Sequence, residues 1–261
     1  MINTLEIPKE LESLKKPPKE LYYIGNKKLL DTFKVAIVGT RRPNQYTQIT
    51  TAALAQKISK YATIISGGAI GIDFIAHTNS IPNTIMISPA SLDIIYPKEN
   101  SKLINDIKNK ALMISEYKSP YFPKKYSFLE RNRIVIALSD IIIFPQGDLN
   151  SGTNYSAKIA IELNKPIWTI PHRYKESPLS EYLIINNYAK VIYDIDNFIR
   201  DYIPDSKVQN MQSLESKSDE ILEFCKNAPS FEIALEKFGD RILEYEFMGL
   251  LIRQNNKIKT K

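Results

Sequence analysis

Arg41 and Arg42 stand side by side in Val38-Gly39-Thr40-Arg41-Arg42-Pro43, between a short apolar run and a helical stretch. Two guanidinium groups in such a turn are donors suited to phosphate, and Gly39 permits a tight turn and a close backbone approach. A helix starting near Tyr46 aims free N–H groups at the same place, which favours an anion. The plainer alternative is a turn with two solvated arginines. A second candidate is Ser66-Gly67-Gly68-Ala69-Ile70-Gly71-Ile72-Asp73. Its small residues free backbone N–H groups to form a phosphate nest, although close packing of a loop on a sheet needs the same glycines. The spacing of Gly67, Gly68 and Gly71 is not a dinucleotide fingerprint, and no Gly-Lys-Ser/Thr follows, so neither a dinucleotide site nor a Walker loop is expected. Gly152 and Thr153 precede a helix and suit a phosphate-binding turn, with Thr153 equally able to serve as an N-cap.

Lys124–Arg133 reads KKYSFLERNR. Lys124, Lys125, Arg131 and Arg133 alternate with Tyr126 and Phe128: cations for phosphates, rings for stacking on unpaired bases, or else a solvated basic helix face. Asp73 and His77 lie four apart on one helix face, as an acid–base pair or as a structural aspartate and a buried histidine. His172 has no evident partner. With two histidines and one cysteine, Cys225, covalent or metal catalysis has little to work with, and no cofactor or metal is expected.

These groups need a scaffold. The runs Lys34–Val38, Thr63–Ser66, Thr84–Ser88, Ala111–Ser115, Asp140–Phe144, Pro166–Ile170 and Ala189–Ile192 are β-rich and mostly apolar throughout, as strands buried on both faces read. Helices are expected at Tyr46–Tyr61, Gly71–Ser80, Asn100–Asn109, Phe128–Leu138 and Thr153–Leu163. The alternation predicts an α/β fold, a mostly parallel Rossmann-like sheet with helices on both faces. Ligands then bind at the carboxyl ends of the strands, where the strand order reverses, and the candidate loops all follow strands. Residues 1–33 read as an extended lead-in with an edge strand, 34–200 as the main domain and 201–218 as a polar linker. Residues 219–261 read as a small helical or winged-helix-like module, built from two or three short amphipathic helices and serving as a protein-docking site or a duplex reader.

Hydrophobic residues make up 43% of the 261, enough for a substantial core. There are 35 Lys and Arg against 29 Asp and Glu, an excess of six that suits a polyanion but is spread along the chain rather than focused. A single cysteine rules out an intramolecular disulfide and points to a reducing compartment. No segment approaches a membrane span or the apolar stretch of a signal peptide, so a cytoplasmic protein is expected.

From about Leu21 to Val191, LYYIGN, VAIVGTRRP, ISGGAIGIDFIAH, DIIYPKEN, ISEY, FLERNRIVIALSD, NSGT and KPIWTIP occur in the order in which they resemble the DprA (Smf) family. The resemblance implies an extended Rossmann-like domain, usually dimeric, that binds and shields single-stranded DNA and helps load RecA recombinase in natural transformation, with no established reaction. It implies that Arg41, with Arg42 beside it, contacts a phosphate, and that Gly39, Thr40, Ser66, Gly67, Gly68, Gly152 and Thr153 form the pocket loops. Lys125 and Phe128 then hold the strand and stack on a base, while Asn132 and Arg133 support the pocket or touch DNA. The chain departs from the family at Ile70, where arginine is usual, at Pro145, where an acidic residue is common, at His172, where glycine is expected, and at Ile136-Ala137, which replace Ala-Gly. The alternative is a nucleoside monophosphate hydrolase of the lysine-decarboxylase-like group. Those enzymes carry PGG-x-GT-x-x-E, but here the glycine pair is broken and Ser156 holds the glutamate position.

Overall fold

The computed structural model describes residues 2–204, 220–247 and 250–260. They belong to two compact units, Met1–Asp205 and Ser206–Lys261. Of the linker expected over 201–218, residues 205–218 lie outside the described residues; the first two continue a helix.

The first unit is built on a nine-stranded sheet. The seven apolar runs give β3 (Lys34–Ile37), β4 (Thr63–Ser66), β5 (Thr84–Ile87), β6 (Leu112–Ser115), β7 (Ile141–Ile143), β8 (Ile167–Thr169) and β9 (Ala189–Val191), all parallel. Two antiparallel strands, β1 (Asn3–Leu5) and β2 (Leu21–Gly25), extend the sheet beyond β6, so the lead-in supplies two strands rather than one. The spatial order is β1-β2-β6-β5-β4-β3-β7-β8-β9. The chain winds outward from β3 through β4, β5 and β6, then restarts on the other side of β3 with β7. The order therefore reverses between β3 and β7.

The strands are apolar throughout because both faces are covered. Val35 and Ile37 face a layer formed by α1 (Gln45–Ile58), α2 (Ile72–Thr78) and α7 (Ile195–Tyr202), in a core with Leu54, Ile58, Ala76 and Phe198. Ala36 and Val38 point to the opposite layer, α3 (Ser101–Lys110), α4 (Ser127–Leu138), α5 (Gly152–Glu162) and α6 (Pro178–Ile185). Successive side chains on a strand alternate in direction, so a strand between two layers needs apolar residues at every position. Each fully buried isoleucine or leucine contributes roughly 1.5–3 kcal/mol. On α4 the whole run Ile134–Leu138 is buried, since the helix packs against β3, β5, α5 and the short turn Lys9–Ser13. Among the described residues, no helix is long and apolar enough to cross a membrane.

Among its described residues the second unit has three short helices, α8 (Glu220–Cys225), α9 (Phe231–Phe238) and α10 (Arg241–Phe247), followed by a hairpin of β10 (Leu251–Gln254) and β11 (Lys257–Thr260). Ile221, Cys225, Ala234, Ile242, Leu251 and Ile258 form its core. This is the winged-helix-like module, with the hairpin as the wing. Asn255 and Asn256 both take positive φ, 49° and 59°, as a two-residue hairpin turn requires.

β2 is locked to β6 at Gly25, whose φ is +102° and whose added Cβ would stand 2.0 Å from the Ala111 carbonyl oxygen. The next residue, Asn26, donates its N–H to that same oxygen at 2.9 Å. Gly25→Ala should therefore destabilise the first unit by about 1–3 kcal/mol, read as a lower urea midpoint at unchanged slope.

Candidate nucleic-acid interface

A cleft of about 680 Å³ opens at the carboxyl ends of β3 and β7, where the strand order reverses. Three loops and the start of α4 converge there, tied by polar contacts. Thr40 N–H donates to the Gln146 carbonyl at 2.9 Å, and Ile72 N–H donates to the Thr40 carbonyl at 3.2 Å. Asn44 donates its N–H to Gln146 Oε1 at 3.1 Å while its side chain accepts from Thr47 N–H, capping α1. A Cβ on Gly39 would stand 2.9 Å from the Gln146 carbonyl, so that position admits little beyond glycine. The cap of α5 is Ser151, which accepts from Asn154 N–H at 3.2 Å, two residues before Thr153.

Gly39, Thr40, Arg41, Arg42, Lys125, Phe128, Asn132, Gly152 and Thr153 all line this cleft. Arg41 and Lys125 are exposed, and the Arg41 guanidinium carbon lies 5.6 Å from the centre of the Phe128 ring. The other expected residues stand elsewhere. Ser66 is buried and donates its hydroxyl to the Ile37 carbonyl at 2.6 Å, joining β4 to β3. Gly67 packs against the Arg131 guanidinium and Gly68, at φ +74°, against Met86; both form the seat beneath the cleft. Arg133 pairs with Glu116 at 2.6 Å and lines a separate depression with Pro17, Pro18 and Tyr117. Asn132 donates to Ser156 Oγ at 2.9 Å, and that hydroxyl donates to the Gly152 carbonyl, joining α4 to the start of α5. The position that holds a glutamate in the nucleoside monophosphate hydrolases is thus occupied by an engaged hydroxyl.

Sequence reasoning passed over Tyr96 and Gln146. The Tyr96 ring is 5.6 Å from that of Phe128, tilted 57°, and 37% exposed. It sits in a loop, where no periodicity marks it. Gln146 matters through partners about a hundred residues away, which spacing does not show.

Among the described residues, four cationic side chains (Arg41, Arg42, Lys125, Arg131) and two carboxylates (Asp73, Asp148) line the cleft, so its balance favours an anion. Arg131 is 3% exposed and donates to the Ile87 carbonyl at 2.9 Å. Burial pulls its pKa down to about 10; the Asp73 charge opposes that fall, and Arg41 adds to it. Asp73 is also buried and accepts from Ala69 N–H at 3.3 Å. Burial raises its pKa, and the Arg131 charge is the largest force the other way. His77, one turn on, faces Thr84 Oγ1 at 2.7 Å. The Thr84 hydroxyl proton goes to the Ile64 carbonyl, so His77 Nδ1 donates. Asp73 and His77 therefore serve separate partners, as structural groups.

The fold and site define a class: a doubly wound α/β protein with a cationic, aromatic-lined cleft at the switch point of its sheet. The chain matches the family model described as DNA recombination-mediator protein A over residues 1–203, and it belongs to that family. It is 31% identical to DNA processing protein DprA of Bacillus subtilis, covering 80% of this chain and 72% of that one. It is 34% identical to DprA of Streptococcus pneumoniae, covering 63% and 59%, and 34% identical to protein Smf of Synechocystis, covering 64% and 44%. The chain thus spans from under half to about three quarters of the length of these relatives. Among solved structures it resembles DNA processing protein A from Helicobacter pylori, described for its single-stranded DNA binding mode, with a TM-score of 0.75 and 48% identity over 80% of this chain and 96% of that one. The S. pneumoniae structure gives a TM-score of 0.71 at 29% identity, covering 77% and 74%.

Burial holds the His77 pKa down to about 3, with the Arg131 charge adding to the effect. The unfolded chain protonates this histidine near pH 6.5 and the folded one does not, so stability present above 6.5 is lost as pH falls toward 3. Between pH 7 and pH 5 this group should remove about 2 kcal/mol. Asp73, whose folded pKa is raised, acts in the opposite sense nearer its own range. Urea unfolding of wild type and His77→Gln at both pH values isolates the histidine: the variant should lose that part of the decline.

Proposed function

We propose that the cleft binds single-stranded DNA and that the protein mediates recombination by passing the bound strand to RecA recombinase, acting as a homodimer in the cytoplasm. Arg41, Lys125 and the N-terminus of α5 at Gly152 and Thr153 hold phosphates, Gly39 and Thr40 bring backbone close to the strand, and Phe128 stacks on a base. Arg42 adds to the local potential, while Ser66, Gly67, Gly68, Asn132 and Arg133 keep the loops in place. The observation that carries this reading is the cation–aromatic arrangement at the switch point, with Arg41 over Phe128 and Tyr96 beside it. A half-buried ring beside a cation, with the 37% exposed Tyr96 ring next to it, suits an unpaired base with its phosphate, because a duplex keeps its base faces stacked. Membership of the recombination-mediator family and the likeness to the H. pylori protein support the same reading.

Fluorescence anisotropy with a labelled oligothymidylate across a salt series tests it. Arg41→Ala should weaken binding by about tenfold or more and flatten the dependence of log K on log salt by about 0.7, the loss of one phosphate contact on a single strand. Phe128→Ala should weaken binding by about 5- to 100-fold, as loss of one stacked base does, and leave the salt slope unchanged. Unchanged affinity in both variants would remove the cleft from consideration. RecA filament growth on a strand coated by single-strand binding protein should be accelerated by wild type and not by Arg41→Ala.

A further inference from the structure

We propose that Phe122 is a second base-stacking station, outside the cleft, which holds a single strand as it leaves; this rests on reading the cleft as a single-strand site. Phe122 is 71% exposed and lines a groove of about 600 Å³ with Asp93, Ile94, Ile95, Lys98 and Ser101. A lone exposed phenylalanine is ordinary on a protein surface. Three features set this one apart.

First, the groove and the cleft are lined by neighbouring residues of one loop. Tyr96 lines the cleft beside Phe128, and Lys98, two residues on, lines the groove. Second, the ring is displayed by a braced loop. The preceding residue, Tyr121, stacks on Tyr117 with ring centres 3.9 Å apart and planes 2° apart. It exchanges hydrogen bonds with Ser91 through Ser91 N–H to the Tyr121 carbonyl (3.1 Å) and Tyr121 N–H to Ser91 Oγ (2.8 Å). Its phenol oxygen meets Ser127 Oγ at 2.9 Å. Pro120 and Pro123 restrict the backbone on either side. Binding therefore orders little that is not already ordered.

Third, the chemistry of the groove sorts bases from phosphates. Ile94 and Ile95 give it an apolar wall, and Asp93, stabilised as a carboxylate by the Ser91 and Ser119 hydroxyls, repels phosphate there. Bases enter against Phe122 while the backbone keeps to the side of Lys98 and Lys125.

The test is anisotropy with oligothymidylates of about three and about twelve nucleotides, one short enough for the cleft alone and one long enough to reach both sites. Wild type should bind the long strand more tightly than the short one. Phe122→Ala should lose about tenfold on the long strand and nothing on the short one, and Phe122→Trp should keep the long-strand affinity. Equal long-strand binding by wild type and Phe122→Ala would overturn the station and leave the cleft standing, as would an equal loss on both lengths. If wild type bound neither strand, or Arg41→Ala changed neither, the cleft reading would fail and take the station with it.

Discussion

A guanidinium taken out of water loses several kcal/mol of hydration that fixed partners must replace. Arg131 meets part of that demand with the Ile87 carbonyl and the facing charge of Asp73, while its Nε is buried without a hydrogen-bond partner. The guanidinium lies so close to Gly67 that a Cβ there would stand 2.0 Å from its Nη1. Strands β4 and β5, helices α2 and α4 and the glycine turn are thus fitted around one planar cation. The rim residues that face solvent depend on it, because α4 carries Phe128 one turn before Arg131 and α2 carries Asp73 under the first loop.

The electrostatics follow in layers. A buried cation and carboxylate set a nearly balanced floor, while the exposed cations Arg41, Arg42 and Lys125 supply the surplus at the rim, where a mobile polyanion can be met without desolvating a fixed charge. Of the departures from the family pattern, Ile136-Ala137 lie in the buried core of α4, and the other three lie on loops after strands. Ile70 is 43% exposed, so a cation is missing there at no cost to packing. The departures at Pro145 and His172 answer each other: His172 Nε2 donates to the Pro145 carbonyl at 2.6 Å, closing the loop after β7 against the one after β8.

The parallel strands, their helices and the switch-point location were legible because burial on both faces writes uninterrupted apolar runs such as Ile141–Ile143, and glycine and arginine punctuate the loops between them. β1 was not legible, since three residues, two of them exposed and one partly buried, carry no pattern of their own. The start of the hairpin in the second unit passed for helix because Leu250 and Leu251 continue the apolar spacing of the helices before them. The Asn255-Asn256 pair was the overlooked signal. Within the site, residue type identified the cations and Phe128. It did not separate Gly67, which seats a side chain, from Gly39, which shapes the cleft, because both demand the same missing Cβ.

The open sheet has two rims, β1 and β9, and each is three residues long. Lys190 stands exposed in the middle of β9, with its ammonium over the rings of Trp168 and Tyr202. Such truncated, charge-bearing margins offer few unpaired main-chain groups to a neighbouring molecule. Many copies crowded side by side therefore meet through their side chains and keep their folds separate, instead of fusing into a continuous ribbon.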